Sequence, residues 1–168
     1  MDEIIYQPIA KISSLSGIKG EVRLRPLSRY FEEYIIDSRF MLGKSKNNLK
    51  GITLDLIKGE GKKRIFKFKG IDSIIEAESI KGKTLFTKVA KEDKINLISK
   101  DLMGWNIVTE IGTKIGELID VMWLPSNDVY IIKNNKKEFL IPIIDEIVKN
   151  LNYEKKEILI NSIDGLLD

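Results

Sequence analysis

Gly17 and Gly20 stand three apart around Ile18 and Lys19, and the chain then runs into Glu21-Val22-Arg23-Leu24-Arg25, where basic and apolar residues alternate. The minimal meaning is a tight turn between two strands, because glycine adopts positive φ at little steric cost. A chemical meaning is open as well. Without a Cβ, the amide N–H groups of the turn can approach a phosphate, with Lys19 at the tip. Arg23 and Arg25, two apart, would lie on one side of the next strand. Such a constellation would bind a polyanion and transform nothing. A P-loop is excluded, because no Gly-x-x-x-x-Gly-Lys-Ser/Thr occurs. The Gly-x-x-Gly clamp of KH domains joins helices, whereas strands flank this one.

A second basic cluster lies in "KGEGKKRIFKFKG" (58–70), where Lys62, Lys63 and Arg64 form a turn and Phe66 and Phe68 alternate with Lys67 and Lys69. Aromatics interleaved with bases can be a stacking platform for single-stranded RNA. The competing reading puts both Phe rings on the core face of a strand and leaves the lysines solvated. The turn cations could touch phosphate in either case. Paired acids at Glu32-Glu33, Glu92-Asp93 and Asp145-Glu146 offer no acid/base site: adjacent residues do not share a face, and no oxyanion donor accompanies them. With no His and no Cys in 168 residues, imidazole catalysis, thiolate nucleophiles, the usual zinc ligands and disulfides are excluded. No cofactor fingerprint and no metal set is present, so the chain reads as a binder and not an enzyme.

The net charge of +3 conceals an asymmetry. Residues 1–90 carry 18 Lys and Arg against 11 Asp and Glu, a net +7, while residues 91–168 carry 10 against 14, a net −4. Local field steers association more than total charge does, so the first half is expected to face a polyanion and the second something else.

Strands must position these side chains, and period-two alternation supplies them. Strands are predicted over 4–12, 21–27, 51–57, 64–70 and 83–89, with short helices over 29–35 and 73–82, the latter ended by Gly82. This pattern predicts a small antiparallel barrel over 1–90. The charged stretch 91–100 is placed as a linker. Beyond it, residues 101–168 repeat the strand-and-turn rhythm, with turns at Gly112-Thr113 and Asn134-Asn135, one helical turn and a last strand. The fold class is therefore mainly β: two small antiparallel barrels joined by a short linker, with a few short helices. The opening "MDEIIYQP" has acids where a secretory signal needs a basic start. The longest apolar runs, such as "FLIPII" (139–144), fall far short of the roughly 20 residues that span a bilayer. A soluble cytoplasmic protein is expected.

Six stretches together resemble a known family: "GIKGEVRLRPL" (17–27), "GIDSIIEAESIKGKTLFT" (70–87), "DLMGWNIVTEIGTKIGELIDV" (101–121), "NDVYIIK" (127–133), "FLIPIIDEIVKNL" (139–151) and the terminal "DGLLD". They are similar, end to end and in matching order, to the ribosome maturation factors of the RimM family. The resemblance implies a translation-factor-like N-terminal barrel, a C-terminal PRC-barrel and a non-enzymatic part in late assembly of the small (30S) ribosomal subunit and processing of its 16S rRNA. Its implied partners are the subunit precursor, the head protein numbered nineteen and nearby rRNA. The chain departs from the family pattern at Ser16, where a His usually precedes the first glycine. It departs again at Leu97-Ile98, where an aromatic pair that matters for ribosome binding is common. The turn usually written Thr-Gly-Ala-Asn-Asp is Leu124-Pro125-Ser126-Asn127-Asp128 here.

The expected RNA contacts are Lys19, Arg23 and Arg25 with the Lys62-Lys63-Arg64 turn, Gly17 and Gly20 shaping the backbone. The expected contacts to the ribosomal protein are Leu97, Ile98, Asp101, Trp105, Asn127 and Asp128. Trp105 is either an aromatic anchor replacing the missing pair or a core residue. A monomer without cofactor, metal or small-molecule substrate is expected. The alternative is a stand-alone RNA-binding module whose second barrel serves docking or dimerisation.

Overall fold

In the computed structural model, which describes residues 3–162, the first strand, β1 (Ile5–Ser16), is long enough at 12 residues to serve two partners. Its C-terminal half pairs antiparallel with β2 (Glu21–Pro26) and its N-terminal half with β6 (Thr84–Val89). Ala10 and Lys11 face both: Lys11 lies opposite Arg25 on one side and Thr84 on the other. Register shifts between Pro8 and Ala10 and between Ile12 and Ser14 bend the strand, as bulges do where a sheet curls. Between β2 and β6 come α1 (Phe31–Ile35), β3 (Arg39–Gly43), β4 (Lys50–Lys58), β5 (Ile65–Phe68) and α2 (Ile74–Ile80). The strands close a barrel in the order β1-β2-β5-β4-β3-β6.

Alternation decides what fills it. Ile9, Ile12, Val22, Phe66, Phe68 and Leu85 are buried, so the two Phe rings point inward, as the one-face reading of that strand implies. At the head of α2, the Ser73 hydroxyl accepts the Glu76 N–H at 3.2 Å while the Glu76 carboxylate accepts from the Asp72 N–H at 3.2 Å. This reciprocal cap satisfies donors that the first turn would leave open.

The chain divides into two compact units, Met1–Lys91 and Glu92–Asp168. In the second, β7 (Asn106–Thr109), β8 (Lys114–Trp123), β9 (Asp128–Asn134), β10 (Lys137–Pro142), β11 (Val148–Asn152) and β12 (Glu157–Ile160) form one sheet ordered β10-β9-β8-β7-β12-β11. Its core gathers Leu102, Trp105, Ile107, Leu118, Tyr130, Ile132, Ile141, Ile158 and their neighbours.

Four features differ from the sequence expectation. β3 went unforeseen because five residues after a helix are too few to show a period. β11 follows the foreseen helical turn, in which the Val148 N–H reaches the Ile144 carbonyl at 2.9 Å, but its mixed Val-Lys-Asn-Leu-Asn sequence hides the alternation. The pairing of β12 with β7 is parallel, an exception to the antiparallel rule expected throughout. The stretch placed as a linker largely folds with the second unit: residues 94–98 and 100–102 form 3-10 turns, and Leu97 and Ile98 pack on its core. The Lys100 ammonium holds the Asp120 carboxylate at 2.6 Å and the Val121 carbonyl at 2.8 Å, drawing Asp120 below the usual carboxylate range chiefly through the Lys100 hydrogen bond. The terminal "DGLLD" lies outside the described residues. Among those described, no helix is long and apolar enough to cross a membrane.

Gly17 and Gly20 both have positive φ, +77° and +87°, but for different reasons. A Cβ at Gly17 would meet nothing within 4 Å, whereas one at Gly20 would stand 2.2 Å from the Ile71 carbonyl oxygen. Gly17→Ala should therefore cost only the left-handed backbone penalty of about 1–2 kcal/mol. Gly20→Ala adds a clash with main chain and should cost at least about 3 kcal/mol. Amide exchange in β1 and β2 reads the difference; equal costs would contradict the packing of the turn on Ile71.

Candidate functional site

Arg23 and Arg25 occupy the outward side of β2, since Val22 between β1 and β5 is buried. Lys11 stands directly opposite Arg25 across the β1–β2 ladder. Like charges in cross-strand register repel, so three cations on one wall, with no ion pair among the described residues, leave a positive field for an outside anion.

The pairing of Val22 with Phe66 is antiparallel. It therefore runs β5 back toward the turn Gly61–Lys63 beside the Arg25 end of β2, where Lys62 and Lys63 are exposed. Lys19 lies at the other end, about 20 Å away for a six-residue strand at roughly 3.3 Å per residue. The expected RNA residues thus do not form one cluster. Arg25, Lys62 and Lys63 group with Lys11, Arg23 lies midway, and the exposed Lys19 stands apart with Gly20.

Arg64 is committed elsewhere. Its guanidinium grips both carboxylate oxygens of Glu32 on α1, one of them at 2.9 Å. Its Nε donates to the Gly61 carbonyl at 3.2 Å. The charged plane also lies 5.6 Å from the ring centres of Phe31 and Phe66, within cation–π range, and those rings meet edge to face at 6.2 Å. Arg64 therefore seats α1 and the 61–64 turn on the barrel, and a phosphate would have to compete with Glu32 for its guanidinium. The bidentate bond holds the Glu32 carboxyl below its ordinary range and raises Arg64.

In the second unit the expected protein contacts divide by depth. Asp101 is exposed, while Asn127, Leu97 and Ile98 are partly buried. Leu97 also fixes a core residue: the Tyr130 hydroxyl donates to its carbonyl. Burial, aided by the charge of Asp128, pushes the Tyr130 phenol far up, so it remains a donor. Trp105 is 8% exposed and meets Tyr153 edge to face at 5.4 Å, so it is a core aromatic and not a surface anchor. Asp128 is likewise buried, at the head of β9, opposite Trp123.

Residues 8–92 match the RimM N-terminal domain and residues 99–166 the RimM PRC barrel domain. The chain belongs to the RimM family. A protein named ribosome maturation factor RimM from Clostridioides difficile (strain 630) is 33% identical over 173 residues, covering 99% of each chain. Its namesake from Thermoanaerobacter sp. (strain X514) is 32% identical over 96% of this chain and 98% of its own. A crystal structure from Pseudomonas aeruginosa, under the provisional name 16S ribosomal RNA processing protein RimM, has 20% identity and a TM-score of 0.45, covering 95% of this chain and 98% of that one.

Two surface features of this RimM chain escaped the sequence reading. Lys11 becomes part of the basic wall only through the β1–β2 register. Trp123, 51% exposed at the end of β8, and Leu140, 57% exposed on β10, are large apolar groups that alternation alone assigns to a core.

The Glu32–Arg64 pair makes a pH prediction. Because the folded carboxyl titrates below its unfolded value of about 4.3, the pair stabilises the first unit above that pH, and the contribution disappears as pH falls through the folded value. Glu32 is 66% exposed on its side chain, so solvent screening holds the effect to about 1 kcal/mol or less. Glu32→Gln should flatten the acid limb of stability, read by amide exchange in β5 from about pH 6 to about pH 3. An unaltered limb would remove the pair from the stability balance.

Proposed function

We propose that this chain acts in late assembly of the small ribosomal subunit, contacting 16S rRNA through the basic wall of its first unit and a head protein, the one numbered nineteen, through its second. It works in the cytoplasm, as a monomer and without chemical turnover. The observation that carries this reading is the match to a protein named ribosome maturation factor RimM over 99% of both chains. The opposite net charges of the two halves agree with it, since a cationic lobe suits phosphates and an acidic lobe suits a basic ribosomal protein.

On this reading Lys11, Arg23, Arg25, Lys62 and Lys63 neutralise backbone phosphates of rRNA, positioning the factor without reading sequence. For the protein contact, Asp101 and Asn127 offer polar groups at the surface, and the exposed Trp123 supplies the aromatic area that Leu97-Ile98 lacks. Aromatic anchors of this kind dominate binding energy at interfaces.

Tagged protein recovered from growing cells should enrich incomplete small subunits over mature ones; equal recovery of both, or of neither, would overturn the assembly role. Each phosphate contact on a duplex contributes about 0.9 to the slope of log affinity against log salt. Arg23→Ala with Arg25→Ala should therefore reduce that slope by about 2 for immature subunits. A slope that stays the same takes this wall out of the interface.

A further inference from the structure

The first unit carries a second cationic feature, built from residues that the basic wall does not use. An open groove of about 390 Å³ is lined by Leu42, Lys50, Gly51, Ile52, Thr53, Lys69, Ile71, Ser79, Ile80 and Lys83. Its three lysines come from separate places: Lys50 at the start of β4, Lys69 just after β5, and Lys83 between α2 and β6. None of them has an ion pair among the described residues, and no acid lines the groove. The accessible lining is more polar than apolar; of its apolar side chains Leu42 and Ile80 are buried and Ile52 and Ile71 are half-buried.

The geometry points to a groove that holds one nucleotide of an RNA strand, the three ammonium groups on its phosphates and the half-buried Ile52 and Ile71 beside its sugar or base. This inference rests on the RNA-binding reading above and adds where a strand would sit. The volume lies at the small end of the roughly 300–1,000 Å³ of ligand clefts. Three unpaired cations beside the half-buried Ile52 and Ile71, with the Thr53 and Ser79 hydroxyls, suit a ligand that is anionic at one end and has a sugar and a flat base at the other, as a nucleotide is. An acidic peptide would present carboxylates but no planar apolar face. Thr53 and Ser79 add hydroxyls at the wall; the Ser79 Oγ donates to the Glu76 carbonyl and can still accept from a ribose 2′-OH, the group that marks RNA.

The backbone keeps the groove open and joined to Lys19. The Lys69 N–H donates to the Thr53 carbonyl at 2.9 Å, fixing two walls to each other. The Lys67 ammonium holds the Phe68 carbonyl at 3.1 Å, the Ile71 carbonyl and the Asp72 carboxylate at 2.7 Å, so the 68–72 loop is set from below. Gly20 also packs against this loop, its Cβ position lying 2.2 Å from the Ile71 carbonyl oxygen. Lys19, stranded at the far end of β2 from Arg25, is thereby placed beside the loop that forms this groove. Gly51 has nothing within 4 Å of its missing Cβ, leaving that edge clear.

The test uses the full chain and hexauridylate, followed by amide NMR. The amides of Gly51, Lys69 and Lys83 should shift saturably. In Lys50→Gln/Lys69→Gln/Lys83→Gln, with spectra elsewhere unchanged, the salt slope of binding should fall by about 2, at about 0.7 per single-strand contact. No shift at those amides, or the same slope in the variant, overturns the groove, as does hexaglutamate shifting them at lower concentration than hexauridylate. Recovery of immature subunits is scored separately. Subunits captured by a chain whose groove ignores hexauridylate would sink this inference alone; a responsive groove without subunit capture would sink the assembly role alone.

Discussion

The first unit depends on one strand serving two neighbours. If β1 paired only with β2, the sheet would have two open edges, and exposed edges are sites of wrong association. By turning at two register shifts, it pairs with β6 as well and the edges disappear. Closure fixes every residue of the wall as inward or outward, because a slip of one residue would exchange the faces. Ile9, Ile12 and Val22 go in; Lys11, Arg23 and Arg25 are left out. The basic wall therefore follows from the barrel, and no separate device is needed to build it.

Two contacts then fix what lies at either end of β2. Arg64, bound to Glu32 and stacked on Phe31 and Phe66, anchors α1 and the turn that carries Lys62 and Lys63. This use of arginine exploits its planar fork and weak hydration, for which lysine is no substitute. At the other end Gly20 meets Ile71 and Lys67 ties down the loop beyond. Cations that work on an external anion must stay unpaired. Arg64 and Lys67 are paired and hold the fold, while Lys62, Lys63 and Lys69, within a few residues of them, have no ion pair among the described residues.

Much of this was legible in the sequence and some was not, for identifiable reasons. The strands with clear alternation, the inward Phe66 and Phe68, the two helices and the turns near Gly112 and Asn135 follow from local pattern. β3 and β11 do not, because one is too short and the other too polar to display a period. Arg64 looked like its lysine neighbours, since nothing local shows that Glu32, half a barrel earlier in the chain, waits for it. Trp105 was ambiguous because a Trp beside a glycine can be buried or exposed, and only the packing of Tyr153 on it decides. Lys11 was passed over because its membership in the wall is a matter of register between strands. Composition speaks at a different level: a chain without His or Cys cannot use an imidazole or a thiolate.

The glycine turn shows how one backbone feature can answer to two different objects. A backbone without Cβ at residue 20 does let another group come close, and that group carries negative partial charge. It is the Ile71 carbonyl of the chain itself, 2.2 Å from where a Cβ would be. Phosphate recognition by this turn's own amides is therefore not required to explain Gly20. The sequence cannot distinguish an internal oxygen from an external one, because both impose the same demand on φ and on side-chain volume. What the internal contact does is transmit position: it sets Lys19 relative to the 69–72 loop. The lysines at this end of the barrel inherit their spacing from a main-chain contact that bears no charge of its own.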